Sequence, residues 1–200
     1  MISRFFTFEE HATLIEGAYH FPLVVLSLMV AVFASFMAFN VAGQAAITED
    51  KLRRNTLLGT GSVALGGGIW SMHFLGMTAF DLCLPVDYDP LITGLSAVPG
   101  IAAAWVALHL LTKSRISLAE IILGGVLVGA GIGTMHYSGM AAMEMAPLLR
   151  YDLGMFALSI VVAVCLAMLS LWIKFGITAA TKSKKLLGKH VLLASIVMGL

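Results

Sequence analysis

The sequence predicts an all-α integral membrane protein: a bundle of six transmembrane helices built from repeated helix pairs, with the last helix truncated and the N-terminus outside. Three observations carry that expectation. Sixty per cent of the 200 residues are apolar and 12% are charged, with a mean hydropathy of +0.97, which lies outside the range of soluble domains. The charged residues are excluded from long runs. A motif with ionisable and sulfur groups occurs twice, 63 positions apart.

The runs 17–48, 55–80, 90–112, 121–143 and 153–173 hold no Asp, Glu, Lys or Arg. Each meets the roughly 20 residues that an apolar helix needs to cross about 30 Å of hydrocarbon. A sixth run begins after Lys189 and stops at Leu200, about halfway across. The sequence therefore reads as five complete spans and one truncated span, a fragment of a longer protein. The first residues carry Glu9, Glu10 and Glu16 and lack the basic start and apolar stretch of a cleavable signal peptide. Cys83 falls in a connection and Cys165 deep in a span, so the two do not form a disulfide framework.

Ten of the twelve Lys and Arg residues fall in three connections: Lys51, Arg53 and Arg54; Lys113 and Arg115; and Lys174, Lys182, Lys184, Lys185 and Lys189. The excess of positive charge on cytoplasmic loops places these connections inside and the N-terminus outside. Spans two and four then run outward. A net charge of +1 and no basic, aromatic-interleaved patch give no indication of nucleic-acid binding.

The first motif copy reads Trp70-Ser-Met72-His73-Phe74-Leu-Gly76-Met77, and the second Gly133-Thr-Met135-His136-Tyr137-Ser-Gly139-Met140. The register extends to Asp81 and Glu144, Tyr88 and Tyr151, and Asp89 and Asp152. At about 1.5 Å per residue, each histidine lies roughly 12 Å below the carboxylate eight positions later, so both share one depth. A third, incomplete copy is visible in Ser195-Ile-Val-Met198-Gly199-Leu200, which matches Ser62-Val-Ala-Leu65-Gly66-Gly67. The repeat units are thus about 20–80, 90–145 and 152–200, and duplicated helix pairs commonly share a site at their interface.

Residues four apart share a helix face, so His73 with Met77 and His136 with Met140 each present an imidazole and a thioether together. Two such pairs make a four-ligand N2S2 set suited to copper and poorly suited to magnesium or calcium. Met72 and Met135 face elsewhere, as packing or alternative ligands, and His20 opens span one at the same outer side. The opposing reading is that intramembrane histidines hydrogen-bond for packing and methionines fill gaps. Repetition weighs against it, because intramembrane ionisable groups are costly and usually functional. Two further alternatives stay open, a b-type haem electron carrier with the two histidines as axial ligands and a metal transporter. No nucleophile–base arrangement, phosphate loop or paired carboxylate points to an enzyme.

The strings at 70–77 and 135–143, and His20 with the following Leu23-Val-Val-Leu-Ser27 and Ala34-Ser35, resemble the MHYT domain, a bacterial membrane sensor module. The resemblance spans nearly the whole chain. It implies a multi-pass protein of the bacterial inner membrane that binds copper and senses oxygen, NO or CO. It also implies fusion to a cytoplasmic diguanylate cyclase, phosphodiesterase, histidine kinase or DNA-binding output outside this chain, with a homodimer left open. Its Met-His-Tyr residues carry over to Met72, His73 and Phe74 and to Met135, His136 and Tyr137. Phe74 departs from tyrosine, and Ser138 stands where the family name has threonine.

The charge pattern makes a direct prediction. With Lys51→Cys, an impermeant maleimide applied to the periplasmic side leaves the thiol unlabelled; labelling from that side contradicts the orientation.

Overall fold

The structure, a computed structural model, describes residues 6–7, 17–82, 85–145 and 151–180. Its helices are α1 (Phe21–Ile47), α2 (Lys51–Thr78), α3 (Pro90–Leu95), α4 (Ala97–Leu111), α5 (Leu118–Ala141) and α6 (Leu153–Ala180). Among the described residues six two-residue strands flank them: β1 (Phe6–Thr7), β2 (Ala18–Tyr19), β3 (Phe80–Asp81), β4 (Asp87–Tyr88), β5 (Met143–Glu144) and β6 (Tyr151–Asp152). The helices pack in sequence, α1 on α2, α2 on α4, α4 on α5 and α5 on α6.

The fold is the expected all-α membrane bundle. Phe21–Ile47, Pro90–Leu111, Leu118–Ala141 and Leu153–Ile173 are long and apolar enough to cross a bilayer. At 28 residues, α2 has the length, but glycine, serine and threonine dilute its apolar content. The span expected after Lys189 lies outside the described residues. The 90–112 run is interrupted at Ser96, between α3 and α4. Pro99 causes this break, since it has no N–H to give the Leu95 carbonyl and its ring crowds that turn.

At the basic end the connections are tightly tied. Asp50 accepts the Leu52 N–H at 3.0 Å and caps α2. Ser117 and Glu120 form a reciprocal capping box on α5. Lys113 pairs with Glu120 across the α4–α5 turn, and the Arg54 guanidinium donates to Thr112 at 3.4 Å. At the opposite end, which the charge pattern assigns to the outside, β2 pairs antiparallel with β3 and β4 with β5, while β1 runs parallel to β6. The first two ribbons clamp the ends of each helix pair in the same way. His20 N–H donates to the Ala79 carbonyl at 2.8 Å, and Asp89 N–H to the Ala142 carbonyl at 2.9 Å.

Small residues set the helix spacing. On α1, Ala31, Ala34, Ala38, Ala42 and Ala45 form a buried stripe, while Met29 and Phe33 on the other face are 63% and 66% exposed, as lipid-facing groups are. A Cβ on Gly66 would lie 2.5 Å from Ile101 Cα, and one on Gly129 2.8 Å from Val164 Cα. The two contacts are equivalent, for Gly129 and Val164 lie the same 63 positions beyond Gly66 and Ile101. In lipid, where apolar burial gives helices little reason to associate, such close backbone packing holds the bundle together.

A matched pair of substitutions tests this packing. Gly129→Ala destabilises the bundle by about 1–3 kcal/mol in detergent-unfolding measurements, because backbone must move. Gly67→Ala, whose Cβ meets nothing within 4 Å, is neutral or stabilising by up to about 1 kcal/mol.

Candidate functional site

The two motif copies meet where the outer halves of α2 and α5 approach. Gly139 makes room: a Cβ there would stand 3.1 Å from His73 Nε2 and 3.4 Å from the Phe74 ring. With that space free, the two imidazoles come together, Nδ1 to Nδ1 at 3.3 Å, with ring centroids 4.6 Å apart and planes inclined by 56°. In the absence of an ion one ring must donate to the other. His73 Nε2 is buried with no hydrogen-bond partner. A protonated Nε2 there leaves a buried donor unsatisfied, at about 1–3 kcal/mol. The less costly arrangement has His73 Nδ1–H donating to His136 Nδ1, with a bare lone pair on His73 Nε2.

Aromatic rings wall the pair. Phe74 lies edge-on to His73 at 5.5 Å and to Tyr88 at 5.9 Å, and packs at a tilt of 44° on Trp70 at 4.8 Å. In the second copy Tyr137 lies edge-on to His136 at 4.9 Å and to Tyr151 at 5.3 Å, and packs on Phe156 at 4.4 Å. Each motif aromatic thus rests on the tyrosine just before a following helix, Phe74 on Tyr88 before α3 and Tyr137 on Tyr151 before α6. Burial raises the phenol pKa of Tyr88, and burial and then Tyr137 raise that of Tyr151. Polar ties reinforce the arrangement: Trp70 Nε1–H donates to Ser96 Oγ at 3.0 Å, and the Tyr137 hydroxyl bonds Ser159 Oγ.

The other sequence candidates are placed as follows. Met77 and Met140 are half-buried one turn beyond their histidines, and Met72 is half-buried. Met135 is 2% exposed, and its Cβ and Cγ pack on Gly100. His20 is exposed at the N-cap of α1, where its side chain makes no capping bond. Its counterparts Asp89 and Asp152 do cap, accepting from Ile92 N–H and Met155 N–H at 2.8 Å each. Asp81 and Glu144 are exposed in the outer ribbons. Cys165 is an exposed free thiol on α6, and Cys83 lies outside the described residues. Among the described residues no group of three or more His, Cys, Asp or Glu side chains converges. The structure therefore joins His73 to His136 and leaves His20 apart.

Ser96 and Ser159 were missed as part of the site. They are separated by the same 63 positions as the motif, so extending the repeat register into the odd helices would have found them.

Comparison with known proteins agrees with this architecture. The MHYT family, described as a bacterial signalling protein N-terminal repeat, matches residues 66–124 and 129–188. The chain is 40% identical over 159 residues to the bifunctional diguanylate cyclase/cyclic di-GMP phosphodiesterase MucR of Pseudomonas aeruginosa, covering 80% of this chain and 23% of that protein. It is 31% identical over 188 residues to the signaling protein YkoW of Bacillus subtilis, covering 93% and 23%. It is 34% identical over 142 residues to the cyclic di-GMP phosphodiesterase NbdA of P. aeruginosa, covering 71% and 18%. No solved structure matches.

The Tyr137–Ser159 bond is testable by a double-mutant cycle. Tyr137→Phe and Ser159→Ala each cost about 1 kcal/mol of stability, and the double variant costs little more than either alone. Strict additivity in thermal unfolding would remove the bond.

Proposed function

This chain belongs to the MHYT family, and we propose that it is the membrane-embedded sensory input of a longer bacterial signalling protein, regulating cyclic di-GMP turnover from the inner membrane. The relatives' names support that output, and the chain spans about a quarter or less of their length (18–23%). The chain is a sensor domain, and the family's catalytic activity resides in fused domains.

The observation that carries a sensory site is the meeting of His73 and His136 from two separate helices at 3.3 Å. We assign copper to this pair. His73 and His136 would hold the ion through the Nδ1 atoms that face each other, each ring turning its lone pair toward it and His73 then carrying its proton on the buried Nε2. Copper accepts imidazole nitrogen readily. Met77 and Met140, at the same spacing on each helix, are the thioethers nearest in register, while Met72 is half-buried next to His73 in sequence and His20 is exposed at the N-cap of α1. When bound, copper supplies a centre able to take oxygen, NO or CO and to change oxidation state. The chain's own residues orient the rings through Gly139 and the aromatic walls and keep water from His73 Nε2. The spacing disfavours haem, because centroids 4.6 Å apart leave no room for a macrocycle between two axial ligands.

Signalling then proceeds by helix rearrangement. The two ligands sit on α2 and α5, whose positions are fixed by glycine contacts with the next repeat, so a change in the shared ion alters inter-repeat packing and is passed along α6 to the basic end.

Metal analysis of unsupplemented protein tests the assignment. Copper copurifies in preference to manganese, magnesium or calcium, and His73→Ala or His136→Ala lowers its affinity by roughly tenfold or more. His109→Ala, exposed at the basic end of α4, leaves it unchanged. Undiminished copper affinity in the double His73→Ala/His136→Ala variant returns the pair to a packing role.

A further inference from the structure

The outer helix of the second repeat is kinked where its counterparts are continuous. Pro99 stands ten positions after Asp89, and α3 (Pro90–Leu95) is separated from α4 (Ala97–Leu111) at Ser96. Ten positions after His20 and Asp152 stand Val30 and Val162, and α1 and α6 run unbroken through them. The kinked helix lies between the two motif helices, with α4 packed on both α2 and α5.

The two sides of the kink are held by different means. On the inner side α4 is seated against backbone. A Cβ on Gly66 of α2 would lie 2.5 Å from Ile101 Cα, and one on Gly131 of α5 3.0 Å from the Pro99 carbonyl oxygen. On the outer side no residue of α3 is buried, and polar ties replace close packing. Toward α5, Asp89 N–H donates to the Ala142 carbonyl at 2.9 Å, and Tyr88 pairs with Met143 in the β4–β5 ribbon. Toward α2, Trp70 Nε1–H is shared between the Thr93 carbonyl at 3.2 Å and Ser96 Oγ at 3.0 Å. The second copy has Gly133 at that place, packed on Ile160 of the continuous α6. The indole goes with the kink.

We infer that α3 is a lever hinged at Ser96, which follows the spacing of His73 and His136 while α4 stays seated, and that Trp70 couples it to α2. The inference rests on the sensory reading of that histidine pair. Pro99 leaves the Leu95 carbonyl without its helical N–H, so bending at this turn costs little. A segment with no buried side chain and a few polar ties moves more readily than the packed helices beside it. Trp70 lies three positions before His73 on α2. Its ring packs on Phe74, which lies edge-on to His73. A shift of His73 relative to α5 therefore pulls on the indole bonds to α3.

NMR of the full chain in detergent micelles, with ¹⁵N-labelled indoles, tests the lever without an ion. The three tryptophans give three indole signals, and Trp70→Phe identifies that of Trp70 by its loss. Gly139→Ala acts as a wedge, because the new Cβ stands 3.1 Å from His73 Nε2 and 3.4 Å from the Phe74 ring. It shifts the Trp70 signal and leaves those of Trp105 and Trp172 in place. Adding Pro99→Ala, which restores the helical bond to Leu95, removes that shift. Trp70→Phe speeds amide exchange in α3 by about fivefold through the loss of one hydrogen bond, and leaves α4 unchanged. Copper(I) moves the Trp70 signal of the unsubstituted chain as the wedge does. A signal that answers to the wedge and not to copper keeps the lever and removes the copper assignment. A Trp70 signal indifferent to Gly139→Ala, a shift that survives Pro99→Ala, or α3 amides as slow as those of α4 in Trp70→Phe would each overturn the lever.

Discussion

The bundle depends on backbone-to-backbone contact of α2 with α4 and of α5 with α6. Glycine is required at Gly66 and Gly129 because the Ile101 and Val164 backbones occupy the space a Cβ would take. In lipid the association of helices rests on dispersion contacts and a few hydrogen bonds, so this closeness supplies stability and also fixes the rotation of α2 and α5. Once that rotation is set, His73 faces α5 and meets Gly139, and the two imidazoles are brought to 3.3 Å. The site follows from the packing of the repeats.

Duplication gives the pair its symmetry, and substitutions between the copies break it. The first copy anchors its aromatic wall through the Trp70 indole on Ser96, whereas the second uses the Tyr137 hydroxyl on Ser159. Trp70 corresponds to Gly133, and Phe74 to Tyr137, so each copy carries one polar aromatic tie in a different place. Gly139 is filled by His73, while Gly76 faces open space. The two histidines consequently differ in surroundings, and His73 alone carries the buried, unpartnered Nε2.

Much of this was legible in the sequence because membrane helices obey strong rules. Uncharged runs locate the long helices, and the motif register of 63 positions foretells that His73 and His136 share a depth. Depth does not settle rotation. The pairing of His73 with Met77 came from helical spacing alone, while the direct imidazole contact depends on Gly139, which spacing treats as a neighbour without assigning it a partner. Two-residue ribbons such as β2–β3 carry no periodic signal, so the clamps at the outer ends were invisible. The break at Ser96 was also missed, although Pro99 marked it. Polar ties such as Trp70 to Ser96 join residues on different helices and can be read only once the helices are packed.

The central claim is that two motif copies on separate helices form one site through direct contact of their histidines. Solid-state NMR with ¹⁵N–¹⁵N recoupling on ring-labelled histidine in the membrane-embedded protein measures that contact directly. The account predicts a cross-peak between the Nδ1 nitrogens of His73 and His136, corresponding to 3.3 Å and lost when either histidine is replaced by alanine. Two isolated histidine signals with no correlation between them, in protein that remains folded, would contradict it.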